Sequence, residues 1–226
     1  MYKKLGILGG MGPLATYTLY KNIIEKTLTQ KDQDHINMVI LNASYIPDRT
    51  QGILHNGPSP LPYLLEELKN LENLGCDLIA VPCNTSHYFY DEMQKSCKTE
   101  ILNMIDLTGE KLKNLGISNT YLMATEATIK TGVYEKYFSA KNINITPAQN
   151  IETAEMMRVI YEIKAGKVPD TKKLRETAEK YINSGCGKII LGCTELSTEK
   201  GLYGDIFIDA MDVLKDKILE KFGKLK

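Results

Sequence analysis

Two stretches of the chain repeat one another at a constant offset of 110 positions: Gly75-Cys76-Asp77-Leu78-Ile79-Ala80-Val81-Pro82-Cys83-Asn84-Thr85 and Gly185-Cys186-Gly187-Lys188-Ile189-Ile190-Leu191-Gly192-Cys193-Thr194-Glu195. Each is a short apolar run that ends on a cysteine followed by small polar residues, the pattern of a strand entering a polar turn and then a helix. If the two halves face each other, Cys83 and Cys193 meet across one cleft. Two thiols in that arrangement suit removal of a proton from one side of a carbon and its return from the other. A cysteine behind an apolar strand is also an ordinary packing residue, and Cys76 and Cys186, each between a helix-stopping glycine and a strand, fit that role. Cys83 and Cys193 instead lie at strand carboxyl ends, where amide N–H groups and a helix dipole favour a thiolate. Packing alone does not demand that they occupy equivalent places in a duplication.

Other residues at the same ends of the strands could serve a small acid. Gly10-Met11-Gly12-Pro13-Leu14-Ala15 fits the loose dinucleotide pattern G-x-G-x-x-G/A. That use needs an acid at the end of the second strand, where the sequence has Leu41-Asn42-Ala43-Ser44. What remains is a tight loop whose amides can hold a carboxylate at a helix N-terminus, or a simple turn. Arg49 is one of three arginines, with Arg158 and Arg175, in a chain that otherwise uses lysine. Its planar fork suits bidentate carboxylate recognition, against the alternatives of a solvated charge or a pair with Asp48. Lys164, just before Gly166, reads without further context as an ordinary C-terminal helix charge. His87 can assist a thiol or merely pack. Tyr88-Phe89-Tyr90 reads as core or interface, and Asp91, Glu92 and the lysines of the last helix as solvated faces.

The elements that must position these residues alternate. Lys4–Gly9 is a strand, Leu14–Leu28 a helix, Ile36–Leu41 a strand, and 42–56 a polar loop. Leu61–Leu74 carries Leu64, Leu65, Leu68, Leu71 and Leu74 on one helical face, and Gly75 stops it. A strand over Leu78–Pro82 and a helix over Ser86–Ser96 follow. The second half repeats the plan: strand Ile101–Ile105, helix Leu107–Leu115, strand Thr120–Ala124 and a turn at Thr125-Glu126-Ala127-Thr128. Helices over Tyr134–Phe138, Ile151–Ala165 and Lys172–Asn183 precede strand Lys188–Leu191. Strand Ile206–Ile208 and helix Ala210–Phe222 close the chain, the last helix packing back on the first half. This is the α/β class: two pseudo-symmetric domains, each a mostly parallel sheet flanked by helices, with the active site in the cleft between them. The expected division is 1–103 plus 209–226 for one domain and 104–208 for the other.

Composition excludes other classes. The 28 basic and 28 acidic side chains cancel, leaving no basic footprint for nucleic acid or an anionic membrane surface. Met1-Tyr2-Lys3-Lys4 precedes only a short glycine-containing apolar stretch, neither a signal h-region nor a membrane span, so a cytoplasmic setting is expected. Five cysteines without a secretory signal are expected to be reduced thiols. Their wide spacing, with His35, His55 and His87 scattered, gives no metal set.

Taken together, Gly6-Ile7-Leu8-Gly9-Gly10-Met11-Gly12-Pro13-Leu14-Ala15-Thr16, Ile46-Pro47-Asp48-Arg49-Thr50, Pro82-Cys83-Asn84-Thr85, Ala124-Thr125-Glu126-Ala127-Thr128 and Gly192-Cys193-Thr194-Glu195 resemble the aspartate/glutamate racemase superfamily, the cofactor-independent amino-acid racemases, and within it the aspartate racemases. The resemblance implies catalytic cysteines at Cys83 and Cys193, no cofactor, and a homodimer. It also implies substrate contacts from Met11, Arg49, Asn84, Thr85, Thr125, Lys164 and Thr194, with Arg49 and Lys164 suited to a second carboxylate. The expected activity is pyridoxal-phosphate-independent racemisation of an acidic amino acid, L-aspartate to D-aspartate, by a two-base mechanism. Alternatives are a glutamate or broad-specificity racemase of the same superfamily. Outside the class stand a two-lobed protein that binds a small carboxylate without turnover and a thiol switch joining Cys83 to Cys193.

Overall fold

The computed structural model describes residues 3–199, 202 and 204–224. Its framework is two four-stranded parallel sheets of the same topology. The first sheet is built from β1 (Lys4–Gly9), β2 (Asn37–Asn42), β3 (Leu78–Ala80) and β4 (Glu100–Ile101), in the order β2-β1-β3-β4. The second uses β5 (Asn119–Met123), β6 (Asn144–Thr146), β7 (Lys188–Leu191) and β8 (Phe207–Asp209), in the order β6-β5-β7-β8. β1 pairs with β2 from Lys4↔Asn37 to Gly9↔Asn42, and β5 pairs with β7 from Thr120↔Lys188 to Met123↔Leu191. Central strands β1 and β3 are buried almost throughout, as a parallel sheet covered on both faces requires. The helices are α1 (Pro13–Lys26), α2 (Arg49–Leu54), α3 (Leu61–Asn73), α4 (Tyr90–Ser96), α5 (Met104–Asn114), α6 (Glu126–Lys130), α7 (Val133–Phe138), α8 (Asn150–Lys164), α9 (Lys172–Asn183) and α10 (Ala210–Lys221).

Several boundaries differ from the sequence expectation, each for a local reason. The segment read as the polar loop 42–56 contains α2, which Asp48 caps by accepting from Gln51 N at 3.0 Å. The strand expected over Ile101–Ile105 ends at Ile101, because Asn103 accepts from the amides of Ile105 and Asp106 and starts α5. The helix expected over Ser86–Ser96 begins as a 3₁₀ turn, Thr85–Phe89, before α4. Thr125 is not merely turn: its hydroxyl accepts from Thr128 N as the cap of α6. β6 lies in a stretch assigned to no element, its pattern too short to read. Leu74 is exposed, while Leu64, Leu68 and Leu71 face the core.

Three apolar clusters hold the molecule together. One lies behind the first sheet against α3, with Leu64, Leu68, Leu71, Ile79 and Cys76. A second backs the second sheet under α8 and α9, with Met156, Val159, Ile160 and Ile189. The third joins both sheets: Leu5 and Ile7 of β1, Leu122 of β5 and Ile190 of β7 share it with α1, α5 and α10. α10 packs on α1 and α5, and Lys221 reaches Glu100 at 2.8 Å. The last helix thus packs between α1 of the first half and α5, which the expected division gives to the second. Lys215, expected on a solvated face, is buried and pairs with Asp212 and Asp216. Within the expected division, residues 1, 2, 200, 201, 203, 225 and 226 lie outside the described ones. Among the described residues no helix is long and apolar enough to cross a membrane.

Asp209 caps α10, accepting from Met211 N at 2.8 Å and from the Ser197 hydroxyl at 2.7 Å. Desolvation of its carboxyl, then the neighbouring Asp212, push it up to about 7 from an ordinary 3.8, against those hydrogen bonds. The folded state thus binds this proton more tightly than the unfolded one, and the protein loses stability as pH rises from about 4 to about 7. Asp209→Asn keeps both acceptor contacts without the charge. Urea melts should show the variant gaining stability relative to wild type as pH rises from about 4 to about 7 and no further gain above that. A difference independent of pH would contradict the assignment.

Candidate active site

β1, β3, β5 and β7 all run in the same sense within their sheets, so the loops at their carboxyl ends gather at the cleft. There the structure brings together all nine residues singled out from the sequence. Met11, Arg49, Cys83, Asn84, Thr85, Thr125, Lys164, Cys193 and Thr194 line one cavity, together with Asp48, Thr50 and Glu195. The cavity, with its mouth, encloses about 260 Å³.

The floor is a set of hydrogen bonds between the two sheets' loops. The hydroxyls of Thr85, Thr125 and Thr128 form a buried triangle with separations of 2.9, 3.0 and 2.9 Å. Thr194 donates to the Pro82 carbonyl at 3.1 Å. Tyr134 donates to Asn84 Oδ1 at 2.6 Å, and burial holds its phenol well above the usual range, so it stays a donor. This fixes the Asn84 amide with Nδ2 left over, buried and without a partner among the described residues.

The glycine loop permits close approach. Gly10 adopts φ +88°, and a Cβ there would sit 2.6 Å from the backbone of Ala43. A Cβ on Gly12, the N-cap of α1, would lie 3.1 Å from Glu195 Oε1 of the other half. The carboxylate that comes near this loop is thus the protein's own.

Arg49 is 7% exposed, and carbonyls hold it: Ile46 and Pro47 at 3.3 and 3.1 Å from Nη1, and Met11 at 3.1 Å from Nη2. Its Nε has no partner among the described residues. A buried guanidinium held by neutral oxygens still lacks a matching anion in direct contact. Lys164 lies 3.7 Å from Asp48 and over the Tyr161 ring. Burial pulls its ammonium down, but the nearby Glu195 and Cys193, with Asp48, leave it raised overall. The sequence alternative of a simple Arg49–Asp48 pair does not describe this geometry, since Asp48 caps α2 and faces Lys164.

The cysteines are 5% and 6% exposed. Cys193 donates to Glu195 Oε2 at 3.0 Å. Burial first, and the Glu195 carboxylate second, hold its thiol well above the ordinary range, with Lys164 pulling the other way. This corrects the expectation that helix dipoles favour a thiolate at both sites. Only a three-residue 3₁₀ turn, Leu196–Thr198, follows Cys193, too short for an appreciable dipole. His87 does not touch a thiol: Nδ1 lies 2.9 Å from the Cys83 carbonyl, and burial lowers its pKa, keeping the ring neutral. Sequence reasoning missed Glu195, although the repeat placed it opposite Thr85, and missed Asp48 and Thr50 beside Arg49. Among the described residues no three His, Cys, Asp or Glu side chains gather into a metal set.

The comparisons with known proteins point the same way. A model of the Asp/Glu/hydantoin racemase family matches residues 8–216. The structure of Picrophilus torridus aspartate racemase superposes with a TM-score of 0.84 at 35% identity, covering 99% of this chain and 96% of that one. An aspartate racemase homologue from Pyrococcus horikoshii OT3 gives 0.78 at 26% identity, covering 98% and 100%. A broad-specificity amino-acid racemase of Bacillus subtilis strain 168 is 25% identical over 205 residues, 85% of this chain and 86% of that protein.

The electrostatics around Cys193 can be read without a substrate. Removing the Glu195 charge should lower the pH at which Cys193 becomes alkylated, and removing Lys164 should raise it. Peptide-resolved iodoacetamide pH–rate profiles of Glu195→Gln and Lys164→Met measure both shifts. Midpoints that stay together in all three proteins would refute the account.

Proposed function

The chain belongs to the Asp/Glu/hydantoin racemase family and is an amino-acid racemase, and from that premise we propose that it interconverts the enantiomers of an acidic amino acid, aspartate first, by a two-base mechanism. What carries this reading is one juxtaposition. Cysteines from equivalent positions of the two halves line a single cavity that also contains a buried guanidinium with an unpartnered N–H. In the proposed site Arg49 and Lys164 take the side-chain carboxylate. Asn84 Nδ2 and the Thr85, Thr125 and Thr194 hydroxyls orient the amino acid, and Met11 walls it.

In one direction Cys83, as thiolate, takes the α-proton and Cys193 gives its thiol proton to the opposite face of the carbanion. The two sulfurs thereby exchange protonation states. In the other direction the exchanged state reacts: Cys193, now the thiolate, takes the α-proton and the Cys83 thiol gives its proton to the opposite face, with Glu195 Oε2 3.0 Å from the Cys193 sulfur. Carbanion charge develops in a buried cavity beside two fixed cations, where electrostatic stabilisation is strongest. Pyridoxal phosphate has no part in this scheme. A homodimer in the cytoplasm, with its domains divided at 104 and 209, completes the proposal.

Pure protein incubated with L-aspartate in heavy water, without pyridoxal phosphate or metal, should incorporate α-deuterium and lose optical rotation. Cys83→Ala or Cys193→Ala should each abolish racemisation from both enantiomers, whereas Cys76→Ala and Cys186→Ala should keep it. Activity surviving in a single Cys83 or Cys193 variant would sink the two-base scheme. Arg49→Lys should lower kcat/KM for aspartate by ~10–100-fold, since hydrogen bonds to charged groups contribute ~1.5–3 kcal/mol. It should affect alanine far less. Equal losses on both substrates, or faster turnover of neutral amino acids by wild type, would favour broad specificity, which the Bacillus subtilis relative's activity makes the natural rival.

A further inference from the structure

The two cysteine loops are fastened to the fold by symmetry-equivalent but chemically different side chains, and the two-base scheme uses neither. Four residues after Cys83 stands His87; four after Cys193, at the same place in the 110-residue repeat, stands Ser197. Both are buried. Met104 N–H, the start of α5, donates to His87 Nε2 at 3.3 Å. The Leu102 carbonyl lies 3.4 Å from the same nitrogen. The shortest contact, 2.9 Å from Nδ1 to the Cys83 carbonyl, needs the hydrogen on Nδ1, and a neutral ring then leaves Nε2 to accept from Met104. The ring therefore links the backbone of Cys83 to the N-terminus of α5. In the second half, the Cys193 carbonyl accepts from Leu196 N at 3.0 Å within the 3₁₀ turn. Ser197, in that turn, donates to Asp209 Oδ1 at 2.7 Å, and the same oxygen caps α10. α5 and α10 are the paired helices of the shared core. Each sulfur is thus referenced, through its fourth following residue, to the helix pair of the shared core.

We propose that His87 and the Ser197–Asp209 pair are positioning residues, one for each sulfur, that set independently the approach of Cys83 and Cys193 to the two faces of the substrate carbon. The proposal rests on the two-base reading. Reaction geometry is steep in distance, a 1 Å displacement costing on the order of 10²-fold. A loosened Cys83 leaves Cys193 free to remove a proton from its own enantiomer. The carbanion then recaptures a proton from Cys193 instead of being protonated on the far face.

The test follows α-deuterium and inversion separately from each pure enantiomer in heavy water. His87→Asn keeps a donor for the Cys83 carbonyl and loses the acceptor for Met104; His87→Phe loses both; Ser197→Ala frees the Cys193 turn. In the His87 variants the ratio of exchange to inversion should rise on the order of tenfold from one enantiomer only, with exchange falling from the other. Ser197→Ala should show the mirror pattern. Asp209→Asn, which keeps the acceptor oxygen, should retain the wild-type ratio. Circular dichroism and melting temperature establish that each variant is folded; if His87→Phe is not, His87→Asn and Ser197→Ala decide. Folded variants that change both enantiomers alike, or change neither ratio, overturn the proposal. Wild type inert toward every amino acid overturns the two-base reading and this proposal with it.

Discussion

Taking a guanidinium out of water leaves it five donors to place, and around Arg49 the protein places only part of them, on carbonyls of its own loops. Neutral oxygens satisfy hydrogen bonds without cancelling charge, so the field of Arg49 extends into the cavity and is joined there by Lys164. The opposite charges, Asp48 and Glu195, are each engaged: the first by the amide of Gln51, the second by the thiol of Cys193. Holding such charges away from water costs stability, which apolar burial elsewhere must offset; the largest share comes from the cluster that joins the two sheets through α1, α5 and α10.

That cluster also explains why two similar halves make one enzyme rather than two tethered modules. Each sheet alone has one well-covered face; the other is covered only because β8 leads into α10, which returns to pack on α1 and α5. The loops at the strand ends then meet, and polar contacts such as Tyr134–Asn84 and Thr194–Pro82 cross between the halves at fixed register. Duplication supplies the pair of thiols, and drift within the duplicates makes them unlike. Glu195 stands where the first half has Thr85, so Cys193 has a carboxylate within hydrogen-bond reach in its own turn. Burial and that carboxylate hold the Cys193 thiol well above its ordinary range.

Family membership and amino-acid racemase chemistry rest on the match over residues 8–216 and on the superposition with aspartate racemase structures. The choice of an acidic substrate rests on something narrower, two cations in a small cavity. Those cations lie at helix ends, Arg49 at the start of the short helix α2 and Lys164 at the end of α8.

The strand-to-turn repeats ending at Cys83 and Cys193 determine by themselves the parallel α/β halves, because apolar runs and glycine stops act over a few residues and carry their meaning locally. The same holds for α3, α8 and α9, whose spacing alone marks them. Local sequence was not enough for α2, whose pattern is polar and whose start depends on the Asp48 cap, or for β6, only three residues long. It could not reveal that the Cys193 thiol is held above its ordinary range, since burial and a carboxylate brought to 3.0 Å decide that. Nor could it show that His87 fastens a backbone rather than serving a thiol. Hydrogen-bond partners and desolvation belong to residues far apart in the chain, and only folding brings them within reach.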